Sequence, residues 1–319
     1  MTRLVIFVGL LLSPFLVQAG ALRIGVSETL LSLPLYVAEE EGYFQQQGVS
    51  VEFVNCVGGN RCMKHMLEGQ VDLSTATELP VVFNSFARSD FAVLTSFVSS
   101  SNDMKVVARA DSNVSQPDQL RNKTLGYVRG SASQYVLDSV LVYNGIDPDT
   151  TNLKLVTPES ALRALVDKEV DALCIWEPFA SLIELQLGSE VTLVPIPKLY
   201  TTTFNLIAMK SVIASKPEEL QRLIRALRDS TEFIQANPEK AKATAARRLR
   251  VPVVLIEKIF NDYRFRLSLN RSLPRTMEGQ ARWAMREGYV DGHLSQPNYT
   301  GFFSPDFLKA VSPGAVSFQ

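Results

Sequence analysis

The turn Gly130-Ser131-Ala132-Ser133 lies between an apolar strand pattern and a helix pattern. Free backbone N–H groups and the positive end of a helix dipole make such a turn a cradle for an anion. The simpler reading of the same residues is a serine N-cap. Thr75-Ala76-Thr77-Glu78 repeats the geometry earlier in the chain, so the two turns are placed to grip opposite ends of one small molecule. Trp176 follows the apolar run Ala172–Ile175 instead of lying inside it. Its ring is therefore expected to wall a cleft, with the indole N–H free to donate one bond; the alternative is a core tryptophan. Glu78 and Glu177 adjoin these turns, and Arg61 and Arg129 are the cations that would offset them. Arginine's planar fork suits a sulfonate or carboxylate, whereas the glutamates repel a bare anion. The mixture points to a zwitterion or a heterocycle with N–H donors, unless both glutamates are only turn or interlobe residues. Thr29 and Thr203 complete the candidate set.

Positioning these residues requires strands whose carboxyl ends share one cleft. Short apolar runs at Leu22–Val26, Val49–Val54, Val71–Thr75, Phe91–Val98 and Lys105–Ala108 read as strands. Helix patterns open at Ser32-Leu33-Pro34, Arg61 and Leu79-Pro80, and Gly42 and Gly69 stand where left-handed caps belong. The pattern restarts with strands at Thr124–Val128, Leu153–Val156, Ala172–Ile175 and Val191–Val194. Helices are expected over Ser133–Tyr143, from a Thr157 cap to Lys168, and over Phe179–Leu187. Phe204–Met209 returns to strand character, and everything beyond Lys216 reads as helical, including Pro252–Arg264. This order predicts an α/β fold with mostly parallel sheets. The chain is long for one core, so two lobes are expected. A crossing near Ala108–Ser112 and a return near Tyr200–Phe204 assign residues 22–108 and 204–319 to lobe one and 109–203 to lobe two. Ligands of open α/β sheets bind beyond the carboxyl ends of the strands. That rule selects Ser27–Leu31, Asn55–Arg61, Thr75–Leu79, Arg129–Ser133 and Trp176–Pro178.

A basic start at Met1-Thr2-Arg3, an apolar run from Leu4 to Val17 and the small residues Ala19-Gly20-Ala21 have the layout of a secretory signal peptide over 1–21. The run is shorter than the roughly 20 residues of a spanning helix, so a soluble, periplasmic mature chain is expected, cut after Ala19 or Ala21. In an exported chain Cys56 and Cys62, flanking Val57-Gly58-Gly59-Asn60-Arg61, favour a disulfide. It would pin the glycine turn and hold Arg61 over the cleft. Cys174, in an apolar strand, reads as a buried free thiol, and the solitary His65 and His293 are assigned no role. Lys and Arg total 32 against 33 Asp and Glu, without the basic surplus of a nucleic-acid binder. No metal site, cofactor or catalytic residue is expected.

The likeness to a known group follows from four ordered segments. They are Leu35-Tyr36-Val37-Ala38-Glu39-Glu40-Glu41-Gly42-Tyr43-Phe44, then Gly69 to Pro80, then Arg129-Gly130-Ser131-Ala132-Ser133, then Val170-Asp171-Ala172-Leu173-Cys174-Ile175-Trp176-Glu177-Pro178. Together they resemble the nitrate/taurine/alkanesulfonate-type solute-binding proteins of ABC transporters and the related thiamine-pyrimidine-type binders. The resemblance implies a type II periplasmic-binding fold: two Rossmann-like lobes, a two-stranded hinge and a cleft between them. It also implies a monomer that captures a small taurine-, sulfonate- or carboxylate-like solute for a membrane permease, with a pyrimidine vitamin precursor as the alternative solute. Pyrimidine synthases and some menaquinone-pathway enzymes resemble the same binders, so an enzyme on this fold is the competing class. The export signal and the lack of the synthases' cysteine-rich motif weigh against it. A periplasmic sensor is a third.

Overall fold

A computed structural model describes residues 20–317; of the leader expected over 1–21, residues 1–19 lie outside the described residues. The strands are β1 (Leu22–Ser27), β2 (Val51–Cys56), β3 (Leu73–Ala76), β4 (Phe91–Ser100), β5 (Met104–Arg109), β6 (Thr124–Tyr127), β7 (Asn152–Leu155), β8 (Ala172–Trp176), β9 (Val191–Val194), β10 (Thr202–Met209) and β11 (Tyr263–Ser268). They form two sheets, ordered β11-β4-β10-β3-β1-β2 and β7-β6-β8-β5-β9. One hydrophobic core surrounds each sheet.

In each sheet the parallel strands are locked by an aspartate. Asp72 accepts the Arg23 N–H on Oδ2 at 3.0 Å while its own N–H donates to the Arg23 carbonyl at 2.8 Å. Asp171 does the same to Thr124, at 2.9 and 2.8 Å. The two Val-Asp pairs of the sequence thus fix the register of β3 against β1 and of β8 against β6. A carboxylate that takes a backbone donor satisfies a group that the ladder would otherwise leave unpaired.

The structure corrects four sequence expectations. The sheets are mixed: β10 runs antiparallel to both β3 and β4, and β5 is antiparallel to both β8 and β9. The first crossing comes at residues 101–103, not near Ala108–Ser112, because β5 pairs with β8 and β9 inside the second sheet. The helix expected from Thr157 starts at Ala161, where Ser160 and Thr157 bond each other's backbone N–H in the preceding turn. Tyr263–Ser268 is an edge strand, not the tail of a helix. Its residues alternate strictly between buried Tyr263, Phe265, Leu267 and exposed Arg264, Arg266. That period of two is a strand signal, and it is present in the sequence.

The long Pro217–Ala236 helix buries Leu220, Leu223, Ile224, Leu227 and Ile234 against the first sheet, spaced three and four apart as one helical face requires. No helix among the described residues is long and apolar enough to cross a membrane.

Candidate functional site

Turns at the carboxyl ends of the strands meet between the two sheets around a narrow cleft with about 30 Å³ of free space. Ser27 and Thr29 come from the end of β1, Asn60 from the start of the helix after β2, Thr77 from the turn after β3, Ser131 from that after β6, and Trp176 ends β8. Asp103, in the first crossing, completes the polar lining; Leu31, Met104 and Phe204 supply apolar wall. An adjoining depression, also with about 30 Å³ of free space, shares Asp103 and Met104 and is otherwise lined by the two crossings, Val136 and Ser139.

The glycine turn is shaped by close approach. Gly58 has φ +89°, and a Cβ there would lie 2.8 Å from Asn60 Oδ1 and 3.3 Å from the Trp176 ring. A Cβ on Gly59 would stand 2.7 Å from the Ala76 Cα. Only glycine lets this backbone pass over the indole and lets the Gly59–Leu67 helix start against β3. Cys56 and Cys62 are disulfide-bonded, with Cα atoms 5.6 Å apart, tying the end of β2 to that helix. Cys174 is buried and free. Peptide mapping without reductant should find Cys56 linked to Cys62 and Cys174 alkylated only after unfolding. Replacing both bridged cysteines with serine should cost about 2 kcal/mol, the loop-closure value for so short a loop. Recovery of Cys56 and Cys62 as free thiols would refute the bridge.

The structure brings Thr29, Thr77, Ser131 and Trp176 to the cleft and places the other candidates elsewhere. Thr29 also caps the following turn by accepting the Leu31 N–H at 2.9 Å. Ser131 is the N-cap of the Ala132–Tyr143 helix and donates to the Val128 carbonyl at 2.8 Å. Ser133 is fully buried: its hydroxyl accepts the Val128 N–H and donates to the Cys174 carbonyl at 2.7 Å, pinning β6 to β8. The Gly130 N–H is taken by Gln134 Oε1, so the turn expected to cradle an anion spends part of its donors internally. Glu78 is 0% exposed and faces β10, accepting the Thr203 N–H and hydroxyl at 2.6 Å each and the Thr202 hydroxyl at 3.2 Å. Burial raises its pKa and these bonds oppose the rise. Thr203 is its partner and not a cleft residue. Glu177 turns inward to accept the Ser181 N–H and hydroxyl, and burial raises its pKa as well. Arg61 does not reach over the cleft; it pairs with Glu159 of the other half. Arg129 is exposed, and its carbonyl accepts the Asn60 side-chain N–H at 3.3 Å.

Several contacts besides these bridge the halves. Trp283 Nε1 donates to Asp138 Oδ2 at 2.8 Å inside an aromatic cluster with Phe83, Tyr135 and Tyr289. Tyr263 donates to Asp103 Oδ1 at 2.6 Å, and Lys258 pairs with Glu184. Sequence reasoning missed Asp103, and it selected the Ser27–Leu31 turn without singling out Ser27. The signal for Asp103 was the polar stretch Ser99-Ser100-Ser101-Asn102-Asp103 between two apolar strands, which marks a connection. Asp103 is 1% exposed, and its pKa is raised to about 7 by desolvation, with the Tyr263 bond and Lys105 opposing and Glu177 and Asp262 reinforcing the rise.

This arrangement has counterparts among known proteins. A putative aliphatic sulfonates-binding protein of Bacillus subtilis is 23% identical over 213 residues, 65% of this chain and 63% of that protein, so under two thirds of its length is spanned. The 4-amino-5-hydroxymethyl-2-methylpyrimidine phosphate synthase of Aspergillus parasiticus is 24% identical over 90% of this chain and 87% of its own. The alkanesulfonate-binding protein SsuA of Xanthomonas axonopodis, solved with MOPS, superposes with a TM-score of 0.79 at 17% identity, over 90% of this chain and all of its own (100%). The periplasmic aliphatic sulphonate-binding SsuA of Escherichia coli gives 0.76 at 17% identity, over 89% and 92%. The fold is therefore that of periplasmic binding proteins, and it also carries enzymes. The signature described as NMT1/THI5 like matches residues 31–241, about two thirds of the chain and every strand end that meets in the cleft except that of β1; the chain belongs to the NMT1/THI5-like family.

Proposed function

We propose that this chain is the solute-binding component of an importer: it captures one small organic molecule between its two halves and presents the closed form to a membrane transporter, without chemistry. The observation that carries this is the cleft itself, a small space with apolar walls and a few polar groups contributed by both sheets, as a binding site requires. Closure around a solute then shifts a two-state equilibrium, and the bridging contacts described above belong to the closed state. Residues 1–21 are taken as a cleaved export leader, which would place the protein in the periplasm. Thr29, Thr77, Ser131 and Trp176 are the ligand contacts. Similarity to the pyrimidine phosphate synthase over most of the chain keeps an enzyme as the second reading. Against it, the one free cysteine among the described residues, Cys174, is buried with its thiol pushed up to about 12 by desolvation, far from a nucleophile at neutral pH.

Mass spectrometry of small molecules released from natively purified protein tests both readings at once. One compound should be recovered, and re-addition at a hundredfold excess over Kd should stabilise the protein by roughly 2.7 kcal/mol. It should come back chemically unchanged after long incubation; conversion to a product would replace the binding reading with the enzymatic one. Trp176→Phe should fold normally, weaken that compound about tenfold through the lost N–H bond and ring area, and remove most of the ligand-induced fluorescence change. Unchanged affinity would return Trp176 to the core.

A further inference from the structure

Among buried polar atoms without a hydrogen-bond partner, three sit on residues lining the cleft: Ser27 Oγ, Asp103 Oδ2 and Trp176 Nε1. Their residues are 0%, 1% and 5% exposed. A folded chain rarely leaves such atoms unpaired, and each demands an explanation. Three on the lining of one small cleft are accounted for together if a ligand supplies the missing partners.

The chemistry of the three atoms is not symmetric. The Asp103 carboxyl, with its pKa raised to about 7, only accepts once ionised, the form that a donor or cationic head favours; an indole N–H only donates, and a hydroxyl does either. Asp103 is held in place by Tyr263 through its other oxygen. Among the described residues no lysine, arginine or histidine lines the cleft. Lys105, beside Asp103 in sequence, stands 3.9 Å from Asp262. An anionic head group entering this cleft would meet the Asp103 carboxyl, whose charge Lys105 offsets only in part, an arrangement that low-dielectric surroundings make costly.

We propose that the cleft selects a small solute whose polar head carries an N–H donor, such as an amidine, a protonated amine or an amino-substituted heterocycle. Asp103 accepts from that head, and Trp176 Nε1 and Ser27 bond acceptor atoms on the same molecule. The apolar body lies against Leu31, Met104 and Phe204. Simple sulfonates and carboxylates are the excluded class. This rests on the solute-binding reading and narrows it, because a site that needs a donor discriminates steeply against a molecule lacking one.

Calorimetric titration of the full chain at about pH 8.5, where Asp103 is ionised, with benzamidine, benzoate and benzenesulfonate isolates the head group, since the ring is the same in all three. Benzamidine should bind at least tenfold tighter than either anion. Asp103→Asn should weaken benzamidine at least tenfold while leaving the circular dichroism spectrum unchanged. Either anion binding as tightly as benzamidine overturns the proposal, as does an Asn variant with unchanged affinity, or no binding by any of the three. The wild-type comparison decides even if the variant fails to fold. Tight benzenesulfonate binding would sink the donor-head proposal and leave solute binding intact; turnover of the natively bound compound would do the reverse.

Discussion

Asp103→Asn is expected to make the ligand-free protein more stable above neutral pH, by roughly 2–4 kcal/mol. The folded carboxyl has its pKa raised to about 7 from the ordinary 3.8, chiefly by desolvation. Between those two values the folded chain holds a proton on Asp103 that the unfolded chain has released. The group's contribution to stability is therefore complete below about pH 4 and is lost as pH rises through 7. Above that point a buried anion persists with only the Tyr263 hydroxyl bonded to it, while Glu177 and Asp262 repel it and Lys105 offsets them in part. Asparagine keeps an oxygen for Tyr263 and does not titrate. Denaturant midpoints of both proteins from pH 4.5 to 8.5 should diverge with rising pH, the variant gaining on the wild type. Burial also raises the pKa of Glu177, so both proteins should retain some loss of stability at high pH; it is the difference between them that reports Asp103. Parallel profiles would show that the carboxyl is not held protonated. A residue that lowers stability and whose replacement is also expected to weaken binding has the profile of a functional group kept against the interest of the fold.

Glu78→Ala should be the most damaging single change at the rim of the cleft, destabilising the protein by about 3–5 kcal/mol and lowering Tm by roughly 6–12 °C. Three donors converge on this buried carboxylate: the Thr203 N–H, the Thr203 hydroxyl and the Thr202 hydroxyl. Alanine leaves all three unpaired beside a cavity, at the point where the chain returns from the second sheet into β10. Glu78→Gln keeps an acceptor oxygen and should recover most of the loss. Because burial raises the pKa of Glu78, the neutral amide should fare best relative to the wild type at high pH. Thermal and urea unfolding of the two variants, without ligand, measures this. An alanine variant within 1 kcal/mol of the wild type would refute the clamp, and a glutamine variant as damaged as alanine would place the cause in shape, not in hydrogen bonding.

Much of the fold was legible because it is local. A glycine after the last helical residue at Gly42 or Gly69, and a proline in the first turn at Pro217 or Pro238, are read from neighbours in sequence, and the structure shows positive φ at both glycines and helices opening at both prolines. The bridge between Cys56 and Cys62 belongs to the same class: the partners are six positions apart, within one strand–turn–helix unit. The strand Tyr263–Ser268 was legible in its alternation but lost beside a proline-led helix pattern, an error of weighing two periods, not a missing signal.

The candidate site divides differently. Sequence indicates where a strand ends, and the rule that ligands sit beyond carboxyl ends selected the turns that line the cleft. It does not indicate which residue of a turn looks inward. Thr77 lines the cleft while Glu78, the next residue, points away, because the partner that claims its carboxylate arrives 124 residues later on β10. Ser131 and Ser133 divide in the same way, since Ser133 is claimed by the Cys174 carbonyl 41 residues on. Asp103 became visible only when pairing of β5 with β8 and β9 moved the crossing ahead of Met104. Hydrogen-bond partners distant in sequence decide which polar groups are consumed by the fold and which stay open for a ligand, and only the tertiary structure brings those partners into place.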